Sequence, residues 1–229
     1  MRTVRLLHTS DLHIAEPADA ACVSMLAAAA RARAVHAVLI VGDFFDHNRV
    51  SAETLAAVAD ALGECGVPVV VLPGNHDPAI AGSVYERGAF GAHVHVLDTP
   101  GGAWLRLPEL DLEVWGRPHA SWDDFRPLAD VPARGAAFWQ IALAHGHLQR
   151  GPHDVGRAYP IDLADVAAAD RDYVALGHWD VPSDASQGSV TAAYSGSASR
   201  VGTIALVTMT ADDSGARTVS VATLAAHPS

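Results

Sequence analysis

The sequence predicts an α/β protein built as two stacked sheets flanked by helices. Three observations carry that prediction. Short β-rich runs alternate with alanine-rich helical stretches, closely spaced strands replace that rhythm after residue 90, and Asp, His and Asn recur at the ends of the buried runs. Half of the 229 residues are hydrophobic and 18% are charged, which excludes a disordered chain. No apolar run reaches the roughly 20 residues of a membrane-spanning helix.

Val4 to His8 reads as a buried strand, followed by a helix that Pro17 opens and that continues through Ala34. Ala37 to Val41 is the second strand. Ser51 caps a helix from Ala52 to about Leu62, with Glu53 in the first turn, where the helix dipole favours negative charge. Val67 to Leu72 is the third strand. Beyond residue 90, His93–Leu97, Trp104–Leu107, Leu112–Trp115 and Phe138–Ala144 read as strands, and Pro100-Gly101-Gly102 as a turn. Ile161–Ala169 reads as a helix, and Tyr173–Leu176, Ser189–Tyr194, Thr203–Thr210 and Thr218–Leu224 complete the β-structure. No repeat, charge block or flexible linker divides the chain, so residues 1–229 are expected to form a single domain.

Every basic residue is arginine: 15 of them stand against 26 acidic residues, a net charge of −11. Such a chain has no broad positive surface to hold nucleic acid by counterion release, although bound metal ions can supply positive charge locally. Two cysteines, Cys22 and Cys65, cannot form a disulfide framework, and the opening residues run straight into a motif without the form of a signal peptide. A cytoplasmic location is the resulting expectation.

The chemistry lies at the strand ends. Asp11-Leu12-His13 follows the first strand, Gly42-Asp43-Phe44-Phe45-Asp46 the second and Gly74-Asn75-His76-Asp77 the third. His145-Gly146-His147 follows the Phe138 strand, and Gly177-His178-Trp179-Asp180 the Tyr173 strand. In open α/β sheets the carboxyl ends of strands are where ligand sites are built. Two polar residues after a strand ordinarily just begin a turn, but turn chemistry does not explain five such groups with histidines. The donors are carboxylate, imidazole and amide oxygen without thiolate, which suits Mn²⁺, Fe, Zn²⁺ or Mg²⁺. Two ions roughly 3.5–4 Å apart would polarise a phosphoryl oxygen and activate water, with Asp43 the natural bridging carboxylate.

In this order the groups resemble the calcineurin-like metallophosphoesterase superfamily, whose pattern is DxH, GDxxD, GNHD, a strand-end His and GHxH. The segments GDFFDHNRVS, Tyr173–His178 and Tyr194-Ser195-Gly196-Ser197 are similar to the Mre11/SbcD exonuclease catalytic core. The resemblance implies a four-layer α/β/β/α sandwich of two mixed sheets and a dinuclear centre, Mn²⁺ being the first expectation. It implies that Asp11 and His13 hold the first metal, that Asp43 bridges, and that Asn75, His145 and His178 hold the second. His76 would face the substrate and protonate or stabilise the leaving oxygen, and Asp77 would orient His76 or hold the loop. His145 and His147 compete for one ligand position. A strand ending at Ala144 puts His145 first at the rim, leaving His147 to touch substrate or support a ligand. His47, Asn48 and Arg49 are candidates for the substrate mouth, as are Arg117 and His119. Trp179 is expected to wall the pocket, and the other tryptophans, with His93 and His95, to be structural.

Two departures stand out. Asp180 occupies the place of the motif's final histidine and is expected to replace it as a ligand of the first metal. The exonucleases also carry a DNA-capping domain that is not expected within residues 1–229. The implied activity is metal-dependent hydrolysis of phosphodiesters in nucleotides or short single-stranded nucleic acid. A phosphomonoesterase acting on a metabolite or phosphoprotein, and a weakly active binding subunit of a DNA-repair complex, are the alternatives.

Overall fold

The computed structural model describes residues 1–226; His227, read from the sequence as solvent-exposed, lies outside them. One sheet contains β1 (Arg2–Thr9), β2 (Ala37–Val41), β3 (Val69–Leu72), β4 (Val94–Val96), β13 (Thr203–Ala211) and β14 (Arg217–Ala225), in the order β14-β13-β1-β2-β3-β4. The other contains β5 (Ala103–Leu107), β6 (Leu112–Gly116), β7 (Trp139–His145), β10 (Tyr173–Gly177), β11 (Ser183–Asp184) and β12 (Thr191–Tyr194), in the order β11-β12-β10-β7-β6-β5. Strands β1 to β4 run parallel, as do β6, β7, β10 and β12, while antiparallel strands finish both sheets. A short parallel pair, β8 (His147–Gln149) with β9 (Pro160–Asp162), lies outside them.

Alternation along the strands sets the layers. Leu7, Val38 and Ile40 point outward onto α1 (Ala20–Ala32) and α2 (Ala52–Gly63). Leu6, Leu39 and Val70 point inward and meet Val114, Ile141, Leu143 and Tyr173 of the second sheet. Val174 and Leu176, on that sheet's far side, pack with Leu148, Ile161 and Val166. Each such side chain contributes about 1.5–3 kcal/mol when fully buried, so the parallel strands form a stiff platform. Among the described residues no helix is long and apolar enough to cross a membrane.

The expected α/β architecture of two mixed sheets is present, with local differences. The fourth layer is thin, because the far side of the second sheet carries the six-residue α4 (Leu163–Ala168) and irregular chain. The helix expected over Ile161–Ala169 begins only at Leu163, because Ile161 pairs with Leu148 across β8 and β9, and the Asp162 and Asp165 carboxylates then cap the helix start. The helix expected from Pro17 opens as a 3₁₀ turn over Pro17–Asp19, where the Asp19 carboxylate accepts the Ala15 and Glu16 amides, and it ends at Ala32. Ser51 caps α2 as expected, accepting the Thr54 amide at 3.0 Å. One helical turn, α3 (Val84–Arg87), has no counterpart in the sequence pattern. Trp115 and Trp139 are core residues, whereas Trp104 and Trp122 lie exposed.

Candidate metal centre

The loops after β1, β2 and β3 leave from neighbouring carboxyl ends and stay paired beyond the strands. Asp11 N–H donates to Gly42 O and His13 N–H to Asp43 O, each at 3.0 Å. From the opposite sheet, β7 delivers His145 as its last residue, and His178 follows β10. The His178 amide donates to Asp11 Oδ2 at 2.9 Å, joining the two sheets through their polar ends.

The backbone is strained here. Asp11, His13, Asp43 and His178 have φ of 54°, 49°, 50° and 103°. A non-glycine residue in such a region costs on the order of 1–3 kcal/mol and persists only where its surroundings dictate it. For Asp11 part of that constraint is visible, since its carbonyl accepts the Ser197 hydroxyl at 2.6 Å and that of Ser199 at 3.3 Å.

Among the described residues, three overlapping sets of side chains converge closely enough to hold cations: Asp11, His13 and Asp43; Asp43, His145 and His178; and His13, Asp46 and His76. Asp43 belongs to the first two. Its Oδ2 lies 3.3 Å from His145 Nε2 and 3.9 Å from His13 Nε2, while its Oδ1 accepts the His76 amide at 2.9 Å. His145 Nδ1 donates to Val41 O at 2.9 Å, which fixes the ring and leaves Nε2 facing Asp43 and, at 3.1 Å, Asn75 Oδ1.

Electrostatics separates these groups. Burial alone would lower the His145 pKa, but the Asp43 charge and hydrogen bond, with Asp11 behind, outweigh it and carry the ring up to about 9. Burial opposes ionisation of Asp43 too, yet His145 holds its carboxyl well below the usual carboxylate range. Burial and then the repulsion of Asp43 raise Asp11, with His145 opposing. Burial and the His145 charge push His178 down to about 3, so its ring is neutral, the form that ligates metals.

The residues fit divalent metal ions. Oxygen and imidazole donors face a common space, and one buried carboxylate is shared by two sets. Two glycines leave room for the donors themselves: a Cβ on Gly42 would lie 1.9 Å from His145 Nδ1, and one on Gly74 would lie 2.2 Å from Asp43 Oδ1.

Other expected site residues lie outside these three sets. Asp77 does not reach the cluster. It is fully buried, and its carboxylate accepts the Gly74 amide at 2.7 Å, the Phe45 amide at 2.9 Å and the Tyr85 hydroxyl at 2.6 Å, tying the β2 and β3 loops together. Burial and the nearby Asp43 raise its pKa to about 6. Asn48 braces a loop, donating to Pro78 O and accepting the Val84 amide. His47 Nδ1 accepts the amide of the exposed Arg49. His147 lies between Asp154, 3.2 Å from its Nε2, and the Trp179 indole N–H, 3.2 Å from its Nδ1, beside rather than among the ligand sets. Trp179 stacks on Tyr194, with ring centroids 4.6 Å apart.

Asp180 is likewise not brought into any of the three sets. Its Oδ2 pairs with Arg200 Nη1 at 3.1 Å, and its carbonyl accepts the Ser197 amide, which holds this loop toward the turn after β12. Asp46, the last residue of the Gly42–Asp46 motif, belongs to the third, outer set although the motif implies no role for it. It lies 3.2 Å from His13 Nδ1 and 3.8 Å from His76 Nδ1. Its spacing, three residues after Asp43, was the available signal. His119 stands behind the cluster, where its Nε2 donates to His145 O at 2.9 Å.

The family model described as calcineurin-like phosphoesterase matches residues 4–193. No curated protein matches the chain at significant sequence similarity. Among solved structures, the protein TT1561 of Thermus thermophilus is 15% identical, with a TM-score of 0.61 over 95% of this chain and 98% of its own. A Staphylococcus aureus protein provisionally described as a 5′-nucleotidase, solved with alpha-ketoglutarate, is 13% identical, with a TM-score of 0.62. It covers 99% of this chain, which spans 55% of it. An archaeal phosphodiesterase is 14% identical, with a TM-score of 0.50 over 96% of this chain and all of its own. At these identities the likeness is one of fold.

Proposed function

The chain belongs to the calcineurin-like phosphoesterase family, and from that membership we propose that it hydrolyses phosphodiesters of nucleotides or short single-stranded nucleic acid with two divalent ions, Mn²⁺ foremost. The observation that carries the reading is the position of Asp43, one buried carboxylate shared by two sets of donors. Asp11, His13 and Asp43 would hold one ion, and Asp43, Asn75, His145 and His178 the other. When bound, the ions supply Lewis acidity to a phosphoryl oxygen and activate the attacking water.

The chain's own groups do the rest. His76 Nδ1 donates to the Asp46 carbonyl at 3.1 Å, which orients the ring and leaves Nε2 toward solvent, where a substrate would arrive. With the ring so held and the Asp46 carboxylate 3.8 Å from Nδ1, His76 is placed to give a proton to the departing alkoxide oxygen. Val41 O and Asp43 keep His145 from rotating, and Asp77 holds the loop that presents Asn75 and His76.

Para-nitrophenyl phosphate and its bis-ester, assayed after exhaustive chelation and again with Mn²⁺, test this reading. Chelation is expected to abolish turnover, Mn²⁺ to restore it, and the bis-ester to be the better substrate. Activity that survives chelation would overturn the metal reading, and turnover of the monoester alone would overturn the diesterase reading. Bound Mn²⁺ without turnover of either ester would instead favour a binding subunit.

A further inference from the structure

Next to the outer ligand set a cleft of about 600 Å³ opens between the first turn of α1 and residues 198–200, the turn after β12. His13 stands in its wall and also belongs to two of the three ligand sets, so the cleft is continuous with the proposed metal centre. Its volume falls within the roughly 300–1,000 Å³ of small-molecule pockets, and the hydrolytic step leaves it unused. Leu12, Cys22, Met25 and Ala198 give it an apolar side, and Asp19 and Arg200 contribute one charge of each sign.

The two charges differ in how firmly they are held. Asp19 is fixed, because its Oδ2 accepts the Ala15 and Glu16 amides at 2.9 Å each. Among the described residues the Arg200 side chain is held by Asp180 alone, at 3.1 Å, and the two side chains are 50% and 37% exposed. A pair so open to solvent contributes little, so another anion can take Asp180's place at small cost. The planar guanidinium fork suits phosphate oxygens.

We propose that this cleft is the subsite for the nucleoside of a nucleotide substrate, and that Arg200 exchanges Asp180 for a phosphate oxygen when the substrate binds. The inference rests on the phosphoesterase reading above. A nucleobase presents apolar faces to the Leu12 and Met25 side, while the fixed Asp19 carboxylate accepts a hydrogen bond from a sugar hydroxyl or a base amino group. A net charge of −11 disfavours tracking a long strand, whereas one arginine suffices for one phosphate.

Equilibrium binding of thymidine 5′-monophosphate and of methyl phosphate to the Mn²⁺-loaded protein, followed by calorimetry, tests this. The nucleotide is expected to bind at least about tenfold more tightly. Ala18 and Ala21 line the cleft and are exposed, so Ala21→Trp, with Ala18→Trp as a second variant, fills it without disturbing the core. Both are expected to erase the nucleotide's advantage and leave methyl phosphate binding unchanged. Arg200→Ala should weaken both ligands by about tenfold, the worth of a charge-assisted hydrogen bond. Equal or undetectable binding of the two ligands by wild type, or an advantage that survives both tryptophan variants, overturns the cleft assignment whether or not any ester is hydrolysed. Tight nucleotide binding without turnover of any ester keeps the cleft and overturns the phosphoesterase reading.

Discussion

The inner donors Asp43 and His145 and the outer donors Asp46 and His76 lie side by side in opposite environments. The side chains of His145 and Asp43 are 0% and 3% exposed, whereas those of His76 and Asp46 are 44% and 41% exposed. Each inner group is pinned: His145 by Val41 O, Asp43 by the His76 amide, and the neighbouring Asp11 by the His178 amide. The outer groups meet His13, one another and solvent. Removing one partner from a buried charged set leaves an uncompensated charge, while an exposed set can rearrange or accept water. The difference teaches a division of labour. The inner set is preorganised to hold a cation, and the outer set is free to meet a substrate and move a proton.

Asp43→Asn tests the inner side and should have the largest effect. It removes the one carboxylate shared by two donor sets, so turnover should fall by about 10⁴-fold or more, corresponding to the several kcal/mol of barrier that metal catalysis supplies. Metal analysis of the purified variant should show reduced occupancy. Full occupancy with normal turnover would break the division at its centre. His76→Ala tests the outer side. Turnover should drop by about 10²–10⁴-fold, the contribution of a positioned acid or base, with metal content near wild type. Loss of metal from this variant would make His76 a ligand and dissolve the distinction.

Asp77 carries the comparison from chemistry to folding. Its carboxylate accepts three donors in a fully buried position and joins the two loops that present Asp43 and Asn75. Asp77→Ala leaves those donors unsatisfied, so urea unfolding should show a loss of about 3 kcal/mol. A stability change within about 0.5 kcal/mol would mean that the loops hold their positions without it.

What could be read from the sequence follows from how local each feature is. Strands β1 to β3 and helix α2 were legible because burial imposes a period on consecutive residues, and the candidate ligands because five strand ends repeat the same donor types. Pairing across the chain was not legible. Strands β8 and β9 form where the Tyr194 hydroxyl binds the Leu148 amide and the Gly146 carbonyl, contacts from nearly fifty residues away. Asp46 has its partners on the loops of β1 and β3, so its motif alone gave it no role. Asp180 shows the reverse limit. A motif position sets where a side chain starts, and Arg200, twenty residues on, sets where it points.

Two equally buried histidines sharpen the comparison further, because His8 and His145 are both 0% exposed. Burial lowers His8 to about 3, whereas the neighbouring Asp43 carries His145 up to about 9. His8 lies between the sheets with its Nδ1 2.8 Å from the Tyr173 hydroxyl, and no carboxylate offsets its desolvation. The consequence for stability has a definite sign. Between about 3 and the ordinary histidine value of 6.5, the unfolded chain binds a proton at this position that the folded chain refuses. Stability therefore falls as pH drops below 6.5, by up to about 1.4 kcal/mol per pH unit from this residue. His8→Gln keeps a polar partner for Tyr173 and removes the titration, so its unfolding free energy should depend less steeply on pH between 5.0 and 6.5. Urea titrations of both proteins in that window, with chelator present, measure the difference in slope. Identical slopes would mean that folded His8 accepts its proton, and that burial without a carboxylate does not expel it.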